Sequence, residues 1–238
     1  MTARQRLIVA LDVPAAEAAR ALTARLGDSV GFYKIGLELL FGGGLQLASE
    51  LKSQGKRIFI DMKLLDIGNT VEKATIQITA LGLDFLTVHG HDRKTMDAAV
   101  RGRGASSLKL LAVTVLTNLD AADLAEQGMT STPSELVLKR ARLAVATGFD
   151  GVIASGAEAA GVGAIARPGF LIVTPGIRPV GGAAGDQARV TTPSDAIAAG
   201  ATHLVVGRPI TAASDPRAAA EAIVAEMTAA LSQKCGAA

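Results

Sequence analysis

Residues 57–70 read Arg57-Ile58-Phe59-Ile60-Asp61-Met62-Lys63-Leu64-Leu65-Asp66-Ile67-Gly68-Asn69-Thr70. The segment opens as an apolar run of strand character. Side chains alternate along a strand, so Asp61 and Lys63 share one face while Ile60, Met62 and Leu64 take the other. Asp66 follows just beyond the strand end. Upstream, Lys34 is an ionic residue inside the apolar run Phe32–Ile35, and Asp12 sits at the carboxyl end of Leu7–Leu11. A single strand-end ion pair would be ordinary structure. Several charges converging from neighbouring strands are not, because burying them costs free energy unless they pair. A lysine held between two carboxylates keeps its proton, since nearby opposite charge favours the ammonium. Such a group is suited to delivering a proton to a carbanion.

These charges need a frame that brings several strand ends together. Short apolar runs recur at Leu7–Leu11, Phe32–Ile35, Arg57–Met62, Phe85–His89, Leu108–Val115, Gly151–Ala154, Phe170–Val173 and His203–Val206, each followed by an Ala-rich segment of helical character. Nearly continuous apolar strands fit a parallel sheet buried on both faces. Their mean spacing of about 30 residues is that of a β/α unit. Thr132-Pro133-Ser134-Glu135 and Thr192-Pro193-Ser194-Asp195 carry an N-cap, a proline at the first helical position and an acid three residues after the cap. Asp215-Pro216 opens the last helix in a similar way, and Gly148 and Gly200 sit where helices end. Residues 118–132 are the longest interruption, expected to be a short helix plus loop. No linker divides the chain, so the prediction is α/β class, one (β/α)8 TIM barrel domain over residues 1–238. A doubly wound dinucleotide fold competes, but Leu11-Asp12-Val13-Pro14-Ala15-Ala16 lacks the glycines of its first turn. Barrel chemistry sits at the carboxyl ends of the strands, where Asp12, Lys34, Asp61, Lys63 and Asp66 fall.

Composition narrows the partners. The 238 residues include 24 Lys+Arg against 22 Asp+Glu, a formal charge of +2, with 49% hydrophobic and 3% aromatic residues. That balance supplies no field for a polyanion, and no basic run is interleaved with aromatics, so no nucleic-acid partner is expected. Cys235 is the only cysteine, which excludes an intrachain disulfide and a thiolate metal cluster. No apolar stretch approaches a membrane span, and the short run after Met1-Thr2-Ala3-Arg4-Gln5-Arg6 is stopped by Asp12 and Pro14, unlike a signal peptide. The expectation is a soluble cytoplasmic protein.

The pattern Asp61-x-Lys63-x-x-Asp66-Ile67-x-x-Thr70 with upstream Lys34 resembles the active-site signature of the orotidine 5′-phosphate decarboxylase family. Further motifs extend the resemblance along nearly the whole chain: Leu11-Asp12, Thr87-Val88-His89-Gly90, Val113-Thr114-Val115-Leu116-Thr117, Thr174-Pro175-Gly176-Ile177-Arg178-Pro179, Asp186-Gln187-Ala188-Arg189 before Thr192-Pro193, and Val206-Gly207-Arg208-Pro209-Ile210. Asp-x-Lys-x-x-Asp alone also occurs in related sugar-phosphate decarboxylases and aldolases; the ordered set is far more specific. Members commonly have Pro where this chain has Gly68, which implies a more flexible loop with the chemistry retained.

The resemblance implies a carboxy-lyase of de novo pyrimidine biosynthesis. It would convert orotidine 5′-monophosphate into uridine 5′-monophosphate and carbon dioxide with no metal or organic cofactor. Lys63 would protonate C6, within an alternating array of Lys34, Asp61, Lys63 and Asp66. Asp61 would lie near the departing carboxylate. Asp12 and Lys34 would bind the ribose hydroxyls, and Thr117 would lie beside the pyrimidine. Asp66, Ile67 and Thr70 would cross a homodimer interface into the neighbouring site. For the phosphate, barrels commonly use the loops after strands seven and eight, here Arg178 and Gly207-Arg208. The glycine-rich stretch from Pro179 to Gln187 would close over it, with Arg178 and Gln187 gripping.

Other signals weigh less. Gly42-Gly43-Gly44 follows strand two, away from the usual phosphate site, and reads as a turn. His89 and His91 lack a third metal ligand. His89 is expected to be structural, His203 to be a satisfied polar residue, and Leu37, Leu39, Leu40 and Phe41 to be core. A Mg²⁺-dependent sugar-phosphate enzyme on the same barrel, or a non-catalytic barrel that binds phosphorylated ligands, are the alternatives.

Overall fold

The structure, a computed structural model, describes residues 1–179 and 190–236. Eight parallel strands close in sequence order into a barrel: β1 (Leu7–Ala10), β2 (Phe32–Gly36), β3 (Arg57–Leu64), β4 (Phe85–His89), β5 (Lys109–Val113), β6 (Gly151–Ile153), β7 (Leu171–Thr174) and β8 (His203–Val206). β1 pairs with β8 through Leu7↔Leu204, which completes the ring. Every run expected to be a strand is one, and the fold is the (β/α)8 barrel.

Strand alternation sorts the core into two. Ile8, Phe32, Phe59, Phe85, Leu111 and Val205 point inward and fill the barrel. Leu7, Val9, Tyr33, Ile35, Ile58 and Ile60 point outward against the helices. At the amino-terminal end, the Phe85 ring meets Phe32 edge-on at 5.0 Å and His203 at 5.3 Å, and the Arg57 guanidinium lies 4.1 Å from the Phe32 ring centre.

The expected helix grammar is present. Thr132 caps the helix Pro133–Thr147 in a capping box with Glu135, and Gly148 ends it in the left-handed region. Thr192 caps Pro193–Ala198. The interruption at 118–132 contains the short helix Ala121–Glu126.

The differences have local causes. β3 runs to Leu64 rather than Met62, because its register against β4 shifts between Ile60 and Leu64. β5 stops at Val113 rather than Val115. Beyond it the Thr114 hydroxyl donates to Ile153 O at 2.6 Å and the Thr114 carbonyl accepts from Arg140, so this residue has left the ladder. Gly42-Gly43-Gly44 is the end of a π-helical turn, Leu40–Gly44, that runs into the helix Leu45–Ser53. A Cβ on Gly42 would stand 2.3 Å from the Pro14 carbonyl oxygen, and Gly43 has φ 91°. Close approach to the β1 loop therefore explains these glycines. Leu39 is core, but Leu37 and Phe41 are 48% and 91% exposed, contrary to expectation. His203 is only half satisfied: Nδ1 meets Thr202 Oγ1 at 3.1 Å, while its buried Nε2 has no partner among the described residues.

Candidate active site

The inward series of side chains turns from apolar to charged at the carboxyl ends of the strands. On β2 it runs Phe32 then Lys34, and on β3 Phe59 then Asp61; Asp12 follows Ile8 and Ala10 two residues past β1. Parallel pairing sets these ends side by side, with Ala10 opposite Lys34 and Gly36 opposite Asp61. The result is a continuous chain of charge. Lys34 Nζ lies 2.9 Å from Asp12 Oδ1 and 3.4 Å from Asp61 Oδ2, and Lys63 Nζ lies 2.9 Å from Asp61 Oδ1. Alternating signs let charges survive burial that an isolated one would not.

Electrostatics follow from that order. Burial by itself would pull the Lys34 ammonium down, but Asp61 and Asp12 outweigh it and hold it above the usual lysine range. Burial would push the Asp61 carboxyl up, and the charges of Lys34 and Lys63 with hydrogen bonds from Lys63 and Thr87 hold it below its usual range. Asp61 therefore stays a carboxylate and Lys34 an ammonium across the neutral range.

The charges form one wall of a cavity of about 580 Å³ at the barrel mouth, a size that suits a small ligand. Asp12, Lys34, Asp61, Lys63, Thr117, Arg178, Gly207 and Arg208 all line it. Val113, Val115, Ile153 and Val205 give the cavity its apolar lining, and Arg178 and Arg208, which follow β7 and β8, line it as well. Arg208 opens a short helix, Arg208–Thr211, directly after β8. Arg178 is anchored by its backbone, its N–H donating to Thr191 O at 2.9 Å. Gln187 and the stretch 180–189, expected to form a lid, lie outside the described residues.

Asp66, Ile67 and Thr70 stand apart from this wall. They are exposed beyond β3, do not line the cavity, and Asp66 Oδ1 accepts the Ile67 N–H at 2.6 Å. Within one chain the charge series is thus Asp12–Lys34–Asp61–Lys63, and Asp66 is not its next member.

Asn118 and Thr211, given no role from sequence, also line the cavity, and Thr87, quoted there only as part of the Thr87-Val88-His89-Gly90 motif, donates its hydroxyl to Asp61 Oδ1 at 2.9 Å. Thr87 had a signal: it shares the inward parity of Phe85 and His89 on β4. Thr211 had none, because the helix that brings it to the mouth was not foreseen. His89 ends β4 stacked on His91 at 4.6 Å, and burial, reinforced by the neighbouring cations, lowers it to about 4. No cluster of three or more His, Cys, Asp or Glu arranged to hold a metal occurs among the described residues.

A family model described as "Orotidine 5'-phosphate decarboxylase / HUMPS family" matches residues 5–223. A protein of Rhodopseudomonas palustris (strain HaA2) named orotidine 5′-phosphate decarboxylase is 57% identical over 224 residues, 94% of this chain and 95% of its own. One of the same name from Caulobacter vibrioides (strain NA1000 / CB15N) is 57% identical over 231 residues, covering 95% and 99%. The crystal structure of orotidine 5′-phosphate decarboxylase from Lactobacillus acidophilus superposes with TM-score 0.81 at 40% identity, over 93% of this chain and 98% of that one.

Proposed function

The chain belongs to the orotidine 5′-phosphate decarboxylase / HUMPS family, and we propose that its barrel mouth decarboxylates orotidine 5′-monophosphate without a cofactor, using the Lys34–Asp61–Lys63 charge series and a partner's Asp66. The activity is that of a carboxy-lyase of pyrimidine biosynthesis, as the names and close similarity of its relatives indicate. The observation that carries the mechanism is the unbroken Asp12–Lys34–Asp61–Lys63 contact chain in the wall of a cavity that also has an apolar lining and the two cations Arg178 and Arg208.

Each part of that cavity matches a part of the nucleotide. Arg178, Arg208 and the backbone at Gly207 meet the phosphate dianion. Asp12 and Lys34 take the ribose hydroxyls, and the pyrimidine lies against the apolar lining beside Thr117. C6 then faces Lys63. Losing carbon dioxide leaves an electron pair at C6, which the fixed ammonium stabilises and then protonates, forming the C6–H bond of uridine 5′-monophosphate. Asp61 holds the Lys63 ammonium in place from the start and repels the substrate carboxylate until carbon dioxide departs.

Asp66, Ile67 and Thr70 serve the neighbouring copy's site in a homodimer. Their exposure supports this, Ile67 at 73%, and the exposed apolar side chains Leu65, Leu37 and Phe41 after β3 and β2 add apolar surface outside the barrel core. No helix among the described residues is long and apolar enough to cross a membrane. The pathway reading carries with it a location in the cytoplasm.

The test is to strip divalent metals with chelator, add orotidine 5′-monophosphate in heavy water and follow the product by NMR. Uridine 5′-monophosphate deuterated at C6 is the expected result. Turnover only after Mg²⁺ is returned would overturn cofactor independence, and an untouched nucleotide would overturn the substrate.

A further inference from the structure

We infer that Thr87 is a positioning residue for Lys63: its buried hydroxyl accepts the Lys63 backbone N–H and donates to the same Asp61 oxygen that the Lys63 ammonium contacts. This rests on the reading of Lys63 as proton donor and adds what holds that donor in place.

The need for such a device lies in the β3 backbone. Between Ile60↔Leu86 and Leu64↔Val88, β3 advances four residues while β4 advances two, so the ladder is broken across Met62 and Lys63. Lys63 has φ 50°, the single positive value at a non-glycine residue among those described. A side chain makes that region unfavourable, so something outside the residue must hold it there. The displaced Lys63 N–H also needs an acceptor, because a buried backbone donor is costly to leave unpaired.

Thr87 supplies both. It is 0% exposed, on the inward face of β4. Lys63 N–H donates to Thr87 Oγ1 at 3.0 Å, Thr87 Oγ1 donates to Asp61 Oδ1 at 2.9 Å, and Lys63 Nζ donates to that same Oδ1 at 2.9 Å. The three bonds close a ring that starts at the lysine's backbone and returns to its ammonium. The two ends of one flexible side chain are thereby tied to a single hydroxyl–carboxylate pair. One rigid neighbour thus does for Lys63 what its long stem cannot do alone, namely keep Nζ at a fixed point without substrate.

Thr87→Val keeps the β-branched shape and removes only the hydroxyl; Thr87→Ser keeps the hydroxyl and removes the methyl. Both are compared with wild type in decarboxylation of orotidine 5′-monophosphate, with thermal melts as a check on folding. A misplaced reacting group costs rate rather than substrate binding, so Thr87→Val should lower kcat by about 10- to 100-fold while KM changes by less than about threefold. Thr87→Ser should recover kcat to within about threefold of wild type, since the ring needs only the oxygen. A Thr87→Val kcat within about twofold of wild type would overturn the inference, as would a loss that Thr87→Ser shares despite a normal melt. If the wild-type protein itself left the nucleotide untouched, it is the functional reading that would fail, so the two failures are distinguishable.

Discussion

Lys63 carries the largest share of the proposed chemistry, and its ammonium pairs with Asp61 at 2.9 Å. Lys63→Ala removes the ammonium that both stabilises the C6 electron pair and protonates it. A loss in kcat of about 10³-fold or more is expected, with the melting temperature little changed, as steady-state assay beside calorimetry would show. His203 makes the opposite kind of residue-scale statement. It is 2% exposed among Phe32 and Phe85, and burial, followed by the nearby Arg57 and Arg6, lowers it to about 3. In the folded chain it is therefore neutral at a pH where the unfolded chain protonates it. A depressed histidine pKa means stability falls as pH drops below the unfolded value of about 6.5, by about 2 kcal/mol at pH 5 from this group alone. His203→Leu should flatten the fall in melting temperature between those pH values. An equally steep fall in the variant would show that His203 is not its source. His89, lowered to about 4, has the same sign and leaves a residual slope.

At the scale of elements, the site depends on how strand ends are handed to their loops. The segment after β2 turns tightly enough that Gly42 packs on the β1 loop, with room for hydrogen but not a methyl: a Cβ there meets Pro14 O at 2.3 Å. Because β1 and β2 deliver Asp12 and Lys34, that contact braces one end of the charge series. Gly42→Ala should destabilise the chain by about 2 kcal/mol through overpacking. Gly31→Ala, where an added Cβ meets nothing within 4 Å, should stay within about 0.5 kcal/mol of wild type. Chemical denaturation of the pair separates the two; equal midpoints would refute the bracing role. β3 shows the complementary device, a register shift that places a left-handed Lys63 where a regular strand would continue.

At the scale of the whole molecule, Asp66, Ile67 and Thr70 are the residues whose assigned role one chain cannot perform. If Asp66 completes the neighbour's site, Lys63→Ala and Asp66→Ala homodimers should each be nearly inactive. Mixing them under subunit exchange should form heterodimers with one intact site each. Random exchange makes half the dimers mixed, so activity should return to about a quarter of wild type. A mixture as inactive as its components would mean that the sites are not shared, and a monomer by sedimentation would remove the interface altogether.

Much of this protein was legible in its residue order. The nearly continuous apolar runs and the capped, Ala-rich segments between them determined eight β/α units, because burial on both faces and helix-end chemistry are local demands. Asp12, Lys34, Asp61 and Lys63 were legible too, since an ion inside an apolar run stands out whatever surrounds it. What only the tertiary structure decided is which charges touch. Parallel register joins Asp12 to Lys34 and Lys34 to Asp61, while Asp66, nearer to Lys63 in sequence than either Asp12 or Lys34, lies outside the cavity. The role of Thr87 was hidden for the same reason. A threonine in a strand is unexceptional until the register shift in a neighbouring strand leaves a lysine N–H without a ladder partner and turns it toward that hydroxyl. Spacing along a chain is a local quantity, whereas the pairing of buried charges is set by closure of the sheet.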